Sequence, residues 1–191
     1  EAIKPCGNGI TIPSGNLRER KKNAKRAKIV AVTNCNLINK DKLYDIRQEI
    51  FKITKNLPME VACNKSELIN MGDNSKIEDL ELFREDNYFV VMSAIGSPDN
   101  FVNTVINIGL KIKEEIIFSD HHKYQFKDIK EILDDLKDNE YIVTTAKDAV
   151  KINEVIDMKA QKKIYVLNVY LNFKNGKEIF EKEIKSVLGI K

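Results

Sequence analysis

Tyr88-Phe89-Val90-Val91-Met92, running on into Ser93-Ala94-Ile95-Gly96-Ser97-Pro98-Asp99, is the stretch on which the fold turns. Its apolar run is strand-length and rich in aromatic and β-branched residues, and it stops at turn chemistry. Pro98 then suits the first turn of a helix, whose apolar positions Phe101, Val105, Ile108 and Ile112 keep to one face. Strand followed directly by helix is the unit of an α/β protein.

The same alternation extends outward. Glu114–Phe118 (EEIIF) predicts a strand, Lys127–Lys137 an amphipathic helix, and Tyr141–Thr145 a strand feeding a helix from about Ala149. Lys163–Phe173 predicts a longer strand, with Lys174-Asn175-Gly176 as its turn and a last helix over about Glu178–Leu188. Toward the N-terminus, Lys28–Asn34 predicts a buried strand, and Asn39 caps a helix reaching Thr54. Met59–Cys63 is a strand candidate, and Asn70–Asp86 reads as a turn and acidic connector. This spacing predicts an α/β fold, a mostly parallel sheet with helices on both faces.

Totals exclude several classes. A formal net charge of +3 over 191 residues makes no global case for nucleic acid, and no such partner is expected. Cys6, Cys35 and Cys63 are far apart with no CxxC pair, which predicts free thiols in a reducing compartment and neither disulfide nor zinc site. No apolar run approaches a membrane span, and no basic-then-apolar leader opens the chain. The chain does open without Met, in a loop holding Pro5, Gly7, Gly9, Pro13 and Gly15, which predicts a piece of a longer protein.

Four segments carry possible chemistry. Ser119-Asp120-His121-His122 holds both histidines of the chain where a predicted strand runs out, the end at which α/β sheets collect ligands. An imidazole oriented there by Asp120 could serve as acid, base or metal ligand; the bland reading is a polar surface loop. Gly96 lies between a strand and a helix N-terminus, which suits an anion or a plain turn equally. Thr145, Lys147 and Asp148 share that placement; capping by Thr145 with Asp148 in the first turn explains most of it and leaves Lys147 over. Arg18–Lys28 (RERKKNAKRAK) reads first as a solvated basic face and second as a binder of phosphate or anionic lipid. No aromatic residues interleave there to stack bases.

The order of these segments is more telling than any one of them. Pro13-Ser14-Gly15-Asn16-Leu17-Arg18-Glu19, Lys25-Arg26-Ala27-Lys28, Ile95-Gly96-Ser97-Pro98, Phe118–Tyr124 and Val143–Lys151 together resemble the tetraacyldisaccharide 4′-kinase (lipid A 4′-kinase) family, from about Gly7 to the end. The resemblance implies ATP-dependent phosphorylation of the 4′-hydroxyl of a tetraacyl glucosamine disaccharide 1-phosphate, at the cytoplasmic face of a bacterial inner membrane. It implies that His121, beside Asp120, partners a catalytic aspartate, and that Arg18 and Glu19, with Asn16, hold the lipid substrate. Gly96, Thr145, Lys147 and Asp148 are then expected near phosphate or nucleotide. The physics is compatible: a His beside a carboxylate helps it accept a hydroxyl proton, and Arg offers a planar fork to a phosphate.

Two departures stand out: Ala146 replaces the family's Glu in Thr-Thr-Glu-Lys-Asp, and Ala94 and Ser97 alter Gly-Ile-Gly-Asn-Pro. No Gly-Lys-Ser or Gly-Lys-Thr occurs, so a Walker A loop is missing. The expectation is a C-terminal portion, with residues 1–35 as the tail of a P-loop domain and 36–191 as a C-terminal α/β domain. ATP and Mg²⁺ ligands are expected upstream, no metal site here, and no turnover by this chain alone. Its expected partners are the lipid disaccharide and an anionic membrane surface, with no protein partner evident. The alternative is a non-catalytic anionic-lipid or phosphate-binding α/β module. An Asp-His-His manganese phosphoesterase is excluded, because two adjacent histidines cannot supply a two-metal ligand set.

Overall fold

The computed structural model describes residues 1–190, the side chains of residues 63–65 excepted; the Cys63 thiol therefore lies outside the description. In chain order the elements are β1 (Ala31–Val32), α1 (Lys40–Thr54), β2 (Met59–Asn70), α2 (Leu80–Asp86), β3 (Tyr88–Ser93), α3 (Pro98–Asn107) and β4 (Lys111–Ile117). There follow α4 (Phe126–Asp134), β5 (Glu140–Thr145), α5 (Ala146–Asn153), α6 (Met158–Gln161), β6 (Ile164–Phe173) and α7 (Lys177–Leu188). Most predicted elements stand within a few residues of their expected bounds, the usual uncertainty at element ends.

Several differ, among them β2, which runs on to Asn70 where only Met59–Cys63 was expected. The helix from Pro98 stops at Asn107, because Gly109 adopts a left-handed φ of 79° just beyond it, and Ile112 therefore belongs to β4. The acidic connector contains α2, capped by the Asp79 side chain accepting from Leu82 N–H at 2.9 Å. Its apolar face is only Leu80 and Phe83, too few to show as a period, yet both pack against a core cluster. The strand expected over Lys28–Asn34 reduces to the two residues of β1.

The chain forms two compact units, Glu1–Lys65 with Tyr170–Lys191, and Ser66–Val169. In the second unit β6, β5, β3 and β4 lie side by side in that order. The β6–β5, β5–β3 and β3–β4 pairs are all parallel. Alternation along β3 explains why both faces carry helices. Phe89 and Val91 meet Phe101, Val102 and Val105 of α3 and Phe83 of α2 on one face. Val90 and Met92 meet Ile129 of α4 and Ile152 of α5 on the other. Burying a side chain such as Phe89 contributes about 1.5–3 kcal/mol.

One irregularity aims the chain at the loop that follows β4. Phe89 pairs with Ile112 and Val90 with Glu114, leaving Lys113 as an extra, bulged residue. A single insertion inverts the pleat. Ile112 accordingly packs with the α3 face, while Ile116 and Phe118 pack with the α4 and α5 face. The Lys113 ammonium is held by Glu140 at 2.8 Å and Asp135 at 3.1 Å, which anchors the bulge.

In the first unit β1 pairs in parallel with the start of β2, and Ala2, Val32, Cys35 and Ile46 form a small core. The basic run makes a short 3-10 helix, Lys21–Arg26, with no buried residue. Much of its charge is matched: Lys21 pairs with Glu49 at 2.8 Å, Lys28 with Glu183 at 3.3 Å, and Arg26 with Glu19.

Candidate active site

Within the second unit the carboxyl ends of β3, β4 and β5 are adjacent, because those strands are parallel neighbours. Each end carries one of the segments singled out in the sequence: Ala94–Ser97, Ser119–His122 and Thr145–Asp148. Hydrogen bonds join them. Phe118 N–H donates to Ser93 O at 2.9 Å and His121 N–H to Ala94 O at 3.3 Å. Ala94 N–H in turn donates to Asp148 Oδ2 at 3.2 Å. A Cβ placed on Gly96 would lie 3.3 Å from Asp120 Oδ2, so this glycine gives the aspartate room.

His121 is the most outward group of the set. Its side chain is 90% exposed, its Nε2 lies 3.8 Å from Asp120 Oδ2, and its φ is +61°. A left-handed φ is uncommon and costly for a residue with a Cβ, and such strain can mark a functional position. Such an imidazole is free to meet a ligand. His122 is the opposite case. Its Nε2 is 3.0 Å from Asp128 Oδ2, and its ring stacks on Phe118 at 4.6 Å. That hydrogen bond, then one from Gln125 N–H at 2.9 Å, hold the Asp128 carboxyl below its ordinary range. His122 is thus a structural histidine, and the two adjacent rings do different work.

Asp148 is fully buried. Thr145 Oγ1 accepts from Asp148 N–H at 3.2 Å and donates to Asp148 Oδ2 at 2.8 Å. The helix start is therefore capped without residue 146, and Ala146 itself is exposed. Lys151 Nζ stands 3.8 Å from Asp148 Oδ1 and 3.5 Å from His122 O. The Tyr124 hydroxyl is buried beside this carboxylate; burial first, then the Asp148 charge, push its pKa up. Lys147 is exposed at the same helix start.

Asn16, Arg18 and Glu19 belong to the first unit. Asn8 N–H donates to Asn16 Oδ1 at 3.3 Å, which ties the loop to itself. Glu19 is clasped by both terminal nitrogens of Arg26 and by Asn23 Nδ2 at 3.1 Å; these bonds, Arg26 first, lower its pKa. Arg18 is exposed. Glu19 also lines a cavity of about 270 Å³ whose apolar walls include Val30, Val32, Ile46, Ile50 and Ile53.

Sequence reasoning missed His122–Asp128, Tyr124, Lys151 and the backbone of Ala94. Asp128 had a findable signal, three residues after Gln125 at the start of an amphipathic helix. Ala94 had none, since its part is played by the peptide groups alone.

Polar side chains collected at the carboxyl ends of parallel strands, between helix layers, define an α/β protein of the kind that handles ligands at its strand ends. The family can be given as well: the model described as Tetraacyldisaccharide-1-P 4'-kinase matches residues 1–189, and the chain belongs to that family. It is 32% identical over 179 residues to the tetraacyldisaccharide 4'-kinase of Elusimicrobium minutum, covering 93% of this chain and 47% of that one. Against the enzyme of the same name from Pelagibacter ubique the identity is 30% over 180 residues, covering 94% of this chain and 51% of the relative. The chain thus spans about half the length of these relatives. In fold it resembles LpxK from Aquifex aeolicus, solved in complex with ATP, with a TM-score of 0.54 at 21% identity over 95% of this chain and 50% of the other. The family resemblance read from the ordered motifs is borne out.

Proposed function

We propose that this chain is the C-terminal portion of an ATP-dependent kinase that phosphorylates the 4′-hydroxyl of a tetraacyl glucosamine disaccharide 1-phosphate, in lipid A biosynthesis. The observation that carries it is His121: an exposed imidazole in a left-handed backbone position, next to Asp120, where three parallel strands end in a chain of this family. Residues 1–35 are read as the tail of the P-loop domain and 36–191 as the C-terminal domain.

When bound, ATP supplies the phosphoryl group. The exposed Lys147 suits a phosphate at the start of α5, and Gly96 leaves backbone room at the start of α3. Among the described residues no three His, Cys, Asp or Glu side chains gather as a metal ion requires. On this reading Mg²⁺, and the Walker A loop, belong to the half of the relatives that this chain does not span, so the chain alone is inactive. His121 takes part as an imidazole that helps a carboxylate receive the proton of the sugar hydroxyl. Arg18 offers its guanidinium to an anionic group of the lipid, and the apolar cavity beside Glu19 has the character an acyl chain requires. The exposed Lys22 and Lys25 would face the anionic inner surface of the membrane.

The test is ATP-dependent phosphate transfer to the disaccharide by the complete polypeptide and by its His121→Ala variant. The expected loss is about 100-fold or more in kcat with substrate affinity kept, the usual size for a proton-transfer group. Unchanged turnover would remove the role given to His121.

A further inference from the structure

We infer that Asp148 is a positioning residue for His121, acting through the peptide groups of Ala94 and assisted by Lys151 and Tyr124. This rests on the reading of His121 just proposed.

The geometry leads there in three links. Asp148 Oδ2 receives Ala94 N–H at 3.2 Å, and the carbonyl of the same Ala94 receives His121 N–H at 3.3 Å. The carboxylate is thus one residue away, through backbone, from the residue held at φ +61°. Lys151 makes a second link, between Asp148 Oδ1 at 3.8 Å and His122 O at 3.5 Å. Tyr124 makes the third. Its hydroxyl is buried beside Asp148, and its ring packs edge-on against Phe118 at 5.2 Å and His122 at 5.3 Å. All three links converge on the segment Phe118–Tyr124.

Helix capping accounts for only part of this carboxylate, whose Oδ2 takes the Thr145 hydroxyl at 2.8 Å as well as Ala94 N–H. Thr145 Oγ1 already accepts Asp148 N–H, and an exposed acid in the first turn would serve the helix dipole as well. A wholly buried carboxylate is costly unless hydrogen bonds and an opposite charge compensate it, as Ala94 N–H, the Thr145 hydroxyl and Lys151 do here. What it holds is the end of β3, from which the His121 backbone hangs. Asp148 and Lys147, side by side in sequence, differ in setting, one wholly buried and one exposed.

The experiment is a double-mutant cycle in the complete kinase, with Asp148→Asn and His121→Ala alone and together, reading kcat and KM for the disaccharide. Asp148→Asn is expected to lower kcat about 10- to 100-fold, the cost of a misplaced catalytic group, with KM within about 2-fold. In the His121→Ala background it should cost nothing further. Losses that multiply, or an Asp148→Asn enzyme with normal kcat beside a crippled His121→Ala enzyme, would overturn the inference alone. A normal His121→Ala enzyme would overturn the underlying reading of His121 and the inference with it. Should Asp148→Asn fold poorly, Lys151→Met, at a half-buried position, carries the same cycle with a smaller expected loss of about 3- to 10-fold. A further readout is the His121 amide resonance in the isotope-labelled complete kinase. It should move in either variant, and an unmoved resonance counts against positioning.

Discussion

Replacing His121 by Gly and, separately, by Ala isolates the strain at the centre of the site. Both variants lose the same ring, which is 90% exposed and 3.8 Å from its nearest carboxylate, so both lose the same small set of contacts. They differ in the backbone. At φ +61° an Ala keeps the Cβ clash of the left-handed region, about 1–2 kcal/mol, and a Gly does not. Glycine loses more freedom on folding, which takes back about 0.4–1 kcal/mol. The balance spans about 0–1.6 kcal/mol and centres near 0.8 kcal/mol in favour of Gly. For a chain of this size the central value corresponds to roughly 1–4 °C in unfolding temperature. Thermal unfolding of the two variants side by side, followed by far-ultraviolet circular dichroism with urea midpoints as a second measure, reads the difference directly. A Gly variant no more stable than the Ala variant would refute the argument that the loop holds His121 in a disfavoured conformation.

Two other outcomes follow from the same geometry. Ile129→Ala should destabilise by about 2–5 kcal/mol, because the side chain is fully buried among Val90, Met92, Ile142 and Ile152; a urea midpoint near that of the parent would contradict the packing described. Asp128→Asn should weaken the fold at neutral pH and flatten its acid limb. The Asp128 carboxyl is held below its ordinary value by His122 and Gln125, so its stabilisation is present above the unfolded-state pKa of about 3.9 and is lost as the pH falls through the lower folded value. Urea midpoints from pH 7 down to about 2.5 check the sign, and parallel curves for parent and variant would rule the linkage out.

The alternation of strands and helices was legible because it is local. Runs such as Tyr88–Met92 have few other solutions once their length and flanking turns are given. The strand ends of the candidate site were legible for the same reason, since a parallel sheet places them on one side. The α2 helix was not, because Leu80, Leu82 and Phe83 in an acidic stretch make no clear period and its stability comes from the cluster that Leu80 and Phe83 cover. The different fates of the two histidines were not legible either. His121 and His122 are neighbours of one residue type, and only the position of Phe118 and Asp128 separates the exposed ring from the fixed one.

By itself, then, the sequence determined the α/β class, the family, and which three turns carry polar side chains, because each of these follows from local pattern and motif order. Tertiary structure alone decided the rest. The bulge at Lys113 exists only relative to β3, and it sets which face Phe118 and the loop after it occupy. The burial of Asp148 exists only once β3 and β5 lie side by side, which brings Ala94 N–H to a carboxylate 54 residues away. A pairing between distant segments has no trace in either segment, since the energy belongs to the pair and to the water it excludes.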